Sequence, residues 1–360
     1  MKSPGGTNGT GPRDRLPVVI RAAAPRDLPG LLRMSGGGVS LDLPETLLGD
    51  YTPLKGLAQG RWLPLGLSRQ HVRTYVARCA ASPCAFVQAR GRAAQHKWDI
   101  LYLGATGRGP VATPGGRIDL WTALLDYTTA AAGRRGIRRL YAKLAADAEA
   151  TAAFRAAGYA PYGQETIYLL HGGAQRDLPD DGPDEGAIRI RSQTPADTWA
   201  LHQLYNWTAP KPAQYAEAYT SHRWELAGQG RLRRSVLRGG LREWGFLVER
   251  GNEIAVYCRV GRQGKRVRLG FVFQPDGRDL LGPALGVVLR WLAPGRDERV
   301  YCTVQEFQQE LGAVLEARGF TPIGSQDLLV RYTTVASRVR AARAWPAVRL
   351  KKVRAGVPVS

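Results

Sequence analysis

Acidic residues are scarce in this chain: 30 Asp and Glu stand against 51 Lys and Arg in 360 residues, for a net charge of +21. The imbalance points to an anionic partner, such as nucleic acid, an acidic membrane face or a phosphorylated small molecule. A GC-rich genome produces the same Arg excess by codon bias, so charge alone assigns no function. Cysteine is scarce too. Cys79, Cys84, Cys258 and Cys302 form no C-x-x-C pair, which excludes a disulfide scaffold, and they match no zinc spacing; all four read as small core residues, and no metal is expected. No run approaches the ~18 apolar residues of a membrane span, and Met1 to Leu16 has no apolar signal core. A cytoplasmic protein without a membrane partner is the expectation. G-x-S-x-G, P-loop and H-E-x-x-H patterns are missing, as are RNP, KH and zinc-finger patterns.

What is present is a repeat. Arg139-Leu-Tyr-Ala-Lys-Leu144 leads through an Ala-rich helical stretch to Gly158-Tyr-Ala-Pro-Tyr-Gly163 and the apolar run Thr166 to Leu170. Arg299-Val-Tyr-Cys-Thr-Val304 leads likewise to Gly319-Phe-Thr-Pro-Ile-Gly324 and Asp327 to Val330, with one extra residue in the helix. Each copy reads as strand, helix, turn, strand, with Gly158 and Gly319 as helix stops. Upstream, Trp98 to Thr106 and Val267 to Phe273 read as strands, followed by helical patterns over Ile118 to Ala132 and Arg278 to Leu292. Paired strands precede them: Arg73 to Cys79 with Cys84 to Arg90, and Trp244 to Arg250 with Glu253 to Gly261 across a Gly251-Asn252 turn. Both halves open on a strand feeding a helix, at Val18 to Arg21 and Ile188 to Arg191. The boundaries that follow are an unstructured start over 1–16, a first domain over 17–171, a linker over 172–186, a second domain over 187–335 and a basic tail over 336–360.

This element order, twice over, resembles the GNAT acetyltransferase fold: two α/β domains in tandem, each a mixed, mainly antiparallel sheet flanked by helices. The resemblance implies acetyl-CoA as co-substrate and a small-molecule or peptide amine as acceptor. In that family the central strand splays from its neighbour and binds the pantetheine arm, and the loop into the next helix presents N–H groups to the pyrophosphate. Carried onto this chain, the donor site falls on Leu103, Gly104, Ala105, Gly107, Arg108, Gly109 and Arg117 in the first half, and on Gln274, Gly277 and Arg278 in the second. Asp279 would set a carboxylate against the pyrophosphate, so a single active half is expected to be the first, with the second completing the acceptor cleft. Gln88 to Ala93 fits the loop's letters but reads as a hairpin loop.

Proton handling narrows the choice further. Asp99 is the only acid on the central strand of either half and is the candidate general base. The family's acid, a Tyr four residues before the Gly-aromatic pair, is replaced by Phe154 and Leu315. Tyr205, Tyr215, Tyr219 and Trp224 lie in a helical stretch that the resemblance places on the acceptor-side wall. The alternative reading is a non-catalytic GNAT-like scaffold that binds nucleic acid or an acidic partner. Its basic residues would be Arg231, Arg233, Arg234 and Arg238, with Arg349, Lys351, Lys352 and Arg354 in the tail.

Overall fold

A computed structural model describes residues 18–44, 72–79, 82–92, 96–106, 114–145, 147–171, 189–226 and 241–333. The first half contains β1 (Val18–Ala22), α1 (Leu28–Met34), β2 (Val39–Ser40), β3 (Val72–Cys79), β4 (Ser82–Arg92) and β5 (Lys97–Ala105). It continues with α2 (Pro114–Gly133), β6 (Arg139–Ala145), α3 (Ala148–Ala156) and β7 (Ala160–His171). The second half contains β8 (Ile190–Ser192), α4 (Thr198–Thr208), α5 (Lys211–Glu217), β9 (Arg242–Arg250), β10 (Glu253–Gln263) and β11 (Arg266–Phe273). It ends with α6 (Leu281–Leu292), β12 (Arg299–Gln305), α7 (Glu310–Glu316) and β13 (Thr321–Tyr332). The proposed linker and both basic segments lie outside the described residues.

The repeat is explicit in local chemistry. Arg21 forks onto Asp27 at 2.7 and 2.8 Å, and the same carboxylate accepts from Ala24 N at 2.7 Å. Arg191 repeats the fork on Asp197 at 2.9 and 2.8 Å, and Thr194 N donates to that carboxylate at 2.6 Å. The pair fixes the angle at which the first strand of each half enters its first helix. Gly158 and Gly319, at φ of +75° and +81°, end α3 and α7 as the spacing predicts, and Tyr159 and Phe320 fold back under them as buried residues.

The two halves form one sheet. Its order is β1-β3-β4-β5-β6-β13-β7-β12-β11-β10-β9-β8, with β2 added on β5. At the centre the last strands are exchanged: β13 pairs with β6 of the first half, and β7 pairs with β12 of the second. β7 and β13 also pair with each other, so that Glu165 faces Gln326 across an approximate two-fold axis. Neither sequence half is therefore a closed sheet by itself.

Alternation along the strands sorts the cores by face. One face carries two large cores: Trp98, Ile100, Leu140 and Leu144 under α2 and α3, and Val256, Val260, Leu269 and Val300 under α6 and α7. The opposite face is covered by α1 over Val76 and Phe86, and by α4 and residues 221–224 over Leu247 and Tyr257. The cavity described below opens on this second face.

The structure corrects two readings. Cys79 and Cys84 are joined in a disulfide with Cα atoms 5.7 Å apart, because the tight β3–β4 hairpin brings a five-residue separation within bonding range. Gln88 to Arg92 is not a loop but part of β4, where Gln88 is fully buried and donates to Thr74. The alternating pattern of β4 runs further than its glycine suggested.

Candidate functional site

In each half the two parallel central strands pair over a few residues and then part. β5 and β6 are in register only over Lys97–Arg139, Trp98–Leu140 and Asp99–Tyr141. β11 and β12 separate after Leu269–Cys302. Both gaps expected from the sequence are present. They differ in what fills them.

The first gap is occupied by the chain itself. Val39 and Ser40 pair with Leu103 and Tyr102, Leu41 N donates to Leu101 O at 3.0 Å, and Asp42 N donates to Lys143 O at 3.1 Å. The inserted segment thus bridges both splayed strands and satisfies their main-chain groups. It passes close to the wall at Gly38, where a Cβ would stand 2.4 Å from Leu103 O. A β-bulge sits beside it, since the β4–β5 register skips Leu101. The β10–β11 hairpin has no such bulge. Leu103 therefore corresponds to Phe271, whose carbonyl also has a partner: Gln308 Nε2 donates to it at 2.9 Å. A backbone segment closes the first gap, and one side-chain amide stands in the second.

The expected donor residues are committed unequally. Leu103 is paired with Val39, Gly104 O accepts from Trp121 Nε1 at 3.4 Å, and Ala105 pairs with Ala85. Arg117 is bound to Glu149 at 2.8 Å, and Gly107, Arg108 and Gly109 lie outside the described residues. In the second half Gln274 Nε2 donates to Ile254 O at 3.1 Å, and Gly277 is packed so that a Cβ would meet Ala255 O at 2.8 Å. Arg278 is paired with Glu310 at 2.7 Å and Asp279 with Arg250 at 2.5 Å. The first gap is bridged by residues 39–42. In the second, Gly270 follows the last paired residue and faces open space, Gln308 holds the Phe271 carbonyl beyond it, and the loop that follows holds its own charges in pairs.

Both gaps meet one cavity of about 240 Å³ over the centre of the sheet. Two of its carboxylates are almost fully buried, Glu165 on β7 at 4% exposure and Glu217, the last residue of α5, at 6%. Glu217 Oε2 accepts from Tyr205 OH at 2.5 Å and Oε1 from Gln305 Nε2 at 3.3 Å. Burial pushes its carboxyl above the ordinary value, against the opposing pull of these donors. Burial and the Glu217 carboxylate push the Tyr205 hydroxyl up in turn. Lys97 Nζ donates to the Glu217 main-chain carbonyl and lies 5.1 and 5.7 Å from the ring centres of Tyr219 and Tyr141. Glu165 is instead held by a cation: Lys143 Nζ and Gln326 Nε2 both donate to its Oε1, at 2.8 and 2.6 Å, and Gln326 Oε1 accepts from Leu43 N at 2.8 Å.

Asp99 does line this cavity, and across the ladder it faces Arg90. Phe154 and Leu315 are fully buried core residues away from it. Tyr205, Tyr219 and Trp224 line the helix-side wall where the sequence set them, while Tyr215 is exposed on α5. Glu217 was missed. The available signal was that it is the only acid between Asp197 and Glu225, amid aromatics. Among the described residues no group of three potential metal ligands stands together, and no helix is long and apolar enough to cross a membrane.

No protein-family model and no curated protein matches this sequence. Among solved structures, a GCN5-related N-acetyltransferase from Sphaerobacter thermophilus superposes with a TM-score of 0.51 at 14% identity, covering 88% of this chain and 97% of that one. The fold is that of the GNAT acetyltransferases. A tandem GNAT protein from the clavulanic acid biosynthesis pathway gives a TM-score of 0.49 at 16% identity, over 88% of this chain and 98% of its own. An acetyltransferase of the GNAT family from Colwellia psychrerythraea gives 0.40 at 11% identity, over 88% and 100%. In GNAT terms, the splayed pairs β5/β6 and β11/β12 are the central strands, and only the second pair keeps space at its opening.

Proposed function

We propose that this chain is an acyltransferase that moves an acyl group, acetyl from acetyl-CoA in the first instance, to a small amine. The donor lies between β11 and β12, and the first half serves as structural partner and cavity wall. This reverses the assignment of the active half made from sequence. One observation carries the proposal: the β11–β12 gap leads into the cavity that holds Glu217, whereas the β5–β6 gap is filled by residues 39–42.

When bound, the thioester would supply an activated carbonyl carbon. The chain's own residues supply the rest. A carboxyl raised by burial is a stronger base near neutral pH than an ordinary Glu, so Glu217 is suited to accept a proton from an incoming ammonium. Tyr205 and Gln305 hold that carboxyl in place, and Lys97 fixes the end of α5 from which it projects. Asp99 lines the same cavity as a second acceptor. Gln308 must release the Phe271 carbonyl for a donor to pair with β11, a side-chain rotation rather than a backbone change.

The test follows released thiol on mixing the full chain with acetyl-CoA and a panel of amines. Glu217→Gln is expected to lower kcat about 100-fold. In the unsubstituted chain the rate should rise with pH through the raised Glu217 pKa, because only the deprotonated carboxylate accepts the proton. Equal activity in Glu217→Gln would remove Glu217 from this role.

A second reading is a non-catalytic GNAT-fold protein. It is favoured by the Arg278–Glu310 and Arg250–Asp279 pairs, which leave the second loop self-neutralised. Its basic residues, Arg231 to Arg238 and Arg349 to Arg354, are the proposed contact for nucleic acid or an acidic protein. Absence of thiol release together with nucleic-acid affinity that falls steeply with salt would favour it.

A further inference from the structure

The cavity contains more positive charge than it pairs. Of its four carboxylates, Glu165 is bound by Lys143, Glu217 by Tyr205 and Gln305, Asp99 faces Arg90 on the ladder, and Asp42, in the segment that crosses the first gap, is engaged as well, against five cations. Of its cations, Lys143 is spent on Glu165, Lys97 on the Glu217 carbonyl, and Arg259 on Glu243 at 2.7 Å. Arg223 and Arg268 remain. Arg223 lies 5.2 Å over the Tyr219 ring and acts through space on the Glu217 carboxylate, and neither guanidinium forms a salt bridge among the described residues. A guanidinium presents a planar fork suited to a carboxylate, and two at one cavity form a ready receptor for an anion.

Their position relative to the gap narrows the ligand. Arg268 and Gly270 stand two apart on β11 and so face the same side, about 6–7 Å apart along the strand. Gly270 opens the gap, and Glu217 reaches the neighbouring strand end through Gln305. A carboxylate seated on Arg268 therefore leaves its amine at the gap, in the cavity that Glu217 lines. We propose that the acceptor is a zwitterion, an amine carrying its own carboxylate, with the carboxylate held by Arg268 and Arg223 and the amine directed to Glu217. This rests on the acyltransferase reading for the amine's role, while the recognition itself requires no donor.

The test is isothermal titration of the full chain, without thioester, using 4-aminobutyrate, L-leucine, butylamine and butyrate as probes. At least one of the two amino acids is expected to bind tenfold or more tightly than either single-function probe. Arg268→Met should bring that amino acid down to the butylamine level and leave butylamine itself unchanged, with Arg223→Met acting in the same direction. Circular dichroism would confirm that each variant is folded. Butylamine binding as tightly as both amino acids, no binding of either amino acid, or unchanged amino-acid affinity in both Arg variants would overturn the proposal. Acetyl-CoA titrated separately keeps the two readings distinguishable. Lost zwitterion preference with acetyl-CoA still binding refutes this inference alone, and lost acetyl-CoA binding with zwitterion preference intact refutes the transferase reading alone.

Discussion

Glu217 shows how a single side chain comes to line a buried cavity that its local sequence does not announce. It ends a seven-residue helix, and no motif marks it beyond its being a lone acid amid aromatics; Gln305 reaches it from β12 of the same half, and the first half brings Lys97. The place of Asp99 in the cavity lining was legible because it is the only acid on a strand whose neighbours are apolar. The Arg21–Asp27 and Arg191–Asp197 forks were legible as a repeated pattern but not as ion pairs, since spacing alone does not show which side chains converge. Asp197 yields a prediction of its own. Hydrogen bonds from Arg191 hold its carboxyl at about 2, below the ordinary 3.8, with burial working against them. A lowered folded-state pKa stabilises the fold above the unfolded value, and that stabilisation is lost as pH falls from about 4 toward 2. Asp197→Asn is therefore expected to melt roughly 2 °C lower than the unsubstituted chain at pH 6, and the difference should close by pH 2. Calorimetry across that range, with a constant difference, would show that the pair has no pH-linked role.

Strands and helices were read well where their periodicity was unbroken. β3, β5, β6, β11 and β12 fall within a few residues of the sequence expectation, as do the ends of α3 and α7 at their glycines. β2 was invisible because two residues carry no period. The bulge at Leu101 was invisible because one extra residue in a hydrophobic run changes nothing that composition records. β2 is nonetheless the element that separates the two gaps. Gly38 is where its chain meets the wall, so Gly38→Val should expel the segment from the β5–β6 gap. The expected outcome is faster amide exchange at Leu41 and Asp42, whose N–H groups cross the gap, with little change in β11. Unchanged exchange at both amides would mean that the segment is not held by this close approach.

Across the whole chain, the duplication was legible and the way the copies join was not. Both repeats supply a twelve-residue last strand and a seven-residue β6 or β12, so the local pattern is satisfied whether each last strand stays with its own half or crosses to the other. Only the three-dimensional register decides. The consequence is one cavity with two openings of different kinds rather than two equivalent clefts, and on the proposed function only the β11–β12 opening admits an acyl donor. Native mass spectrometry of the full chain with saturating acetyl-CoA counts the donors bound, and Gly270→Trp fills the second gap. One acetyl-CoA per unsubstituted chain and none on Gly270→Trp is the predicted result; two per chain, or one retained by Gly270→Trp, would contradict it.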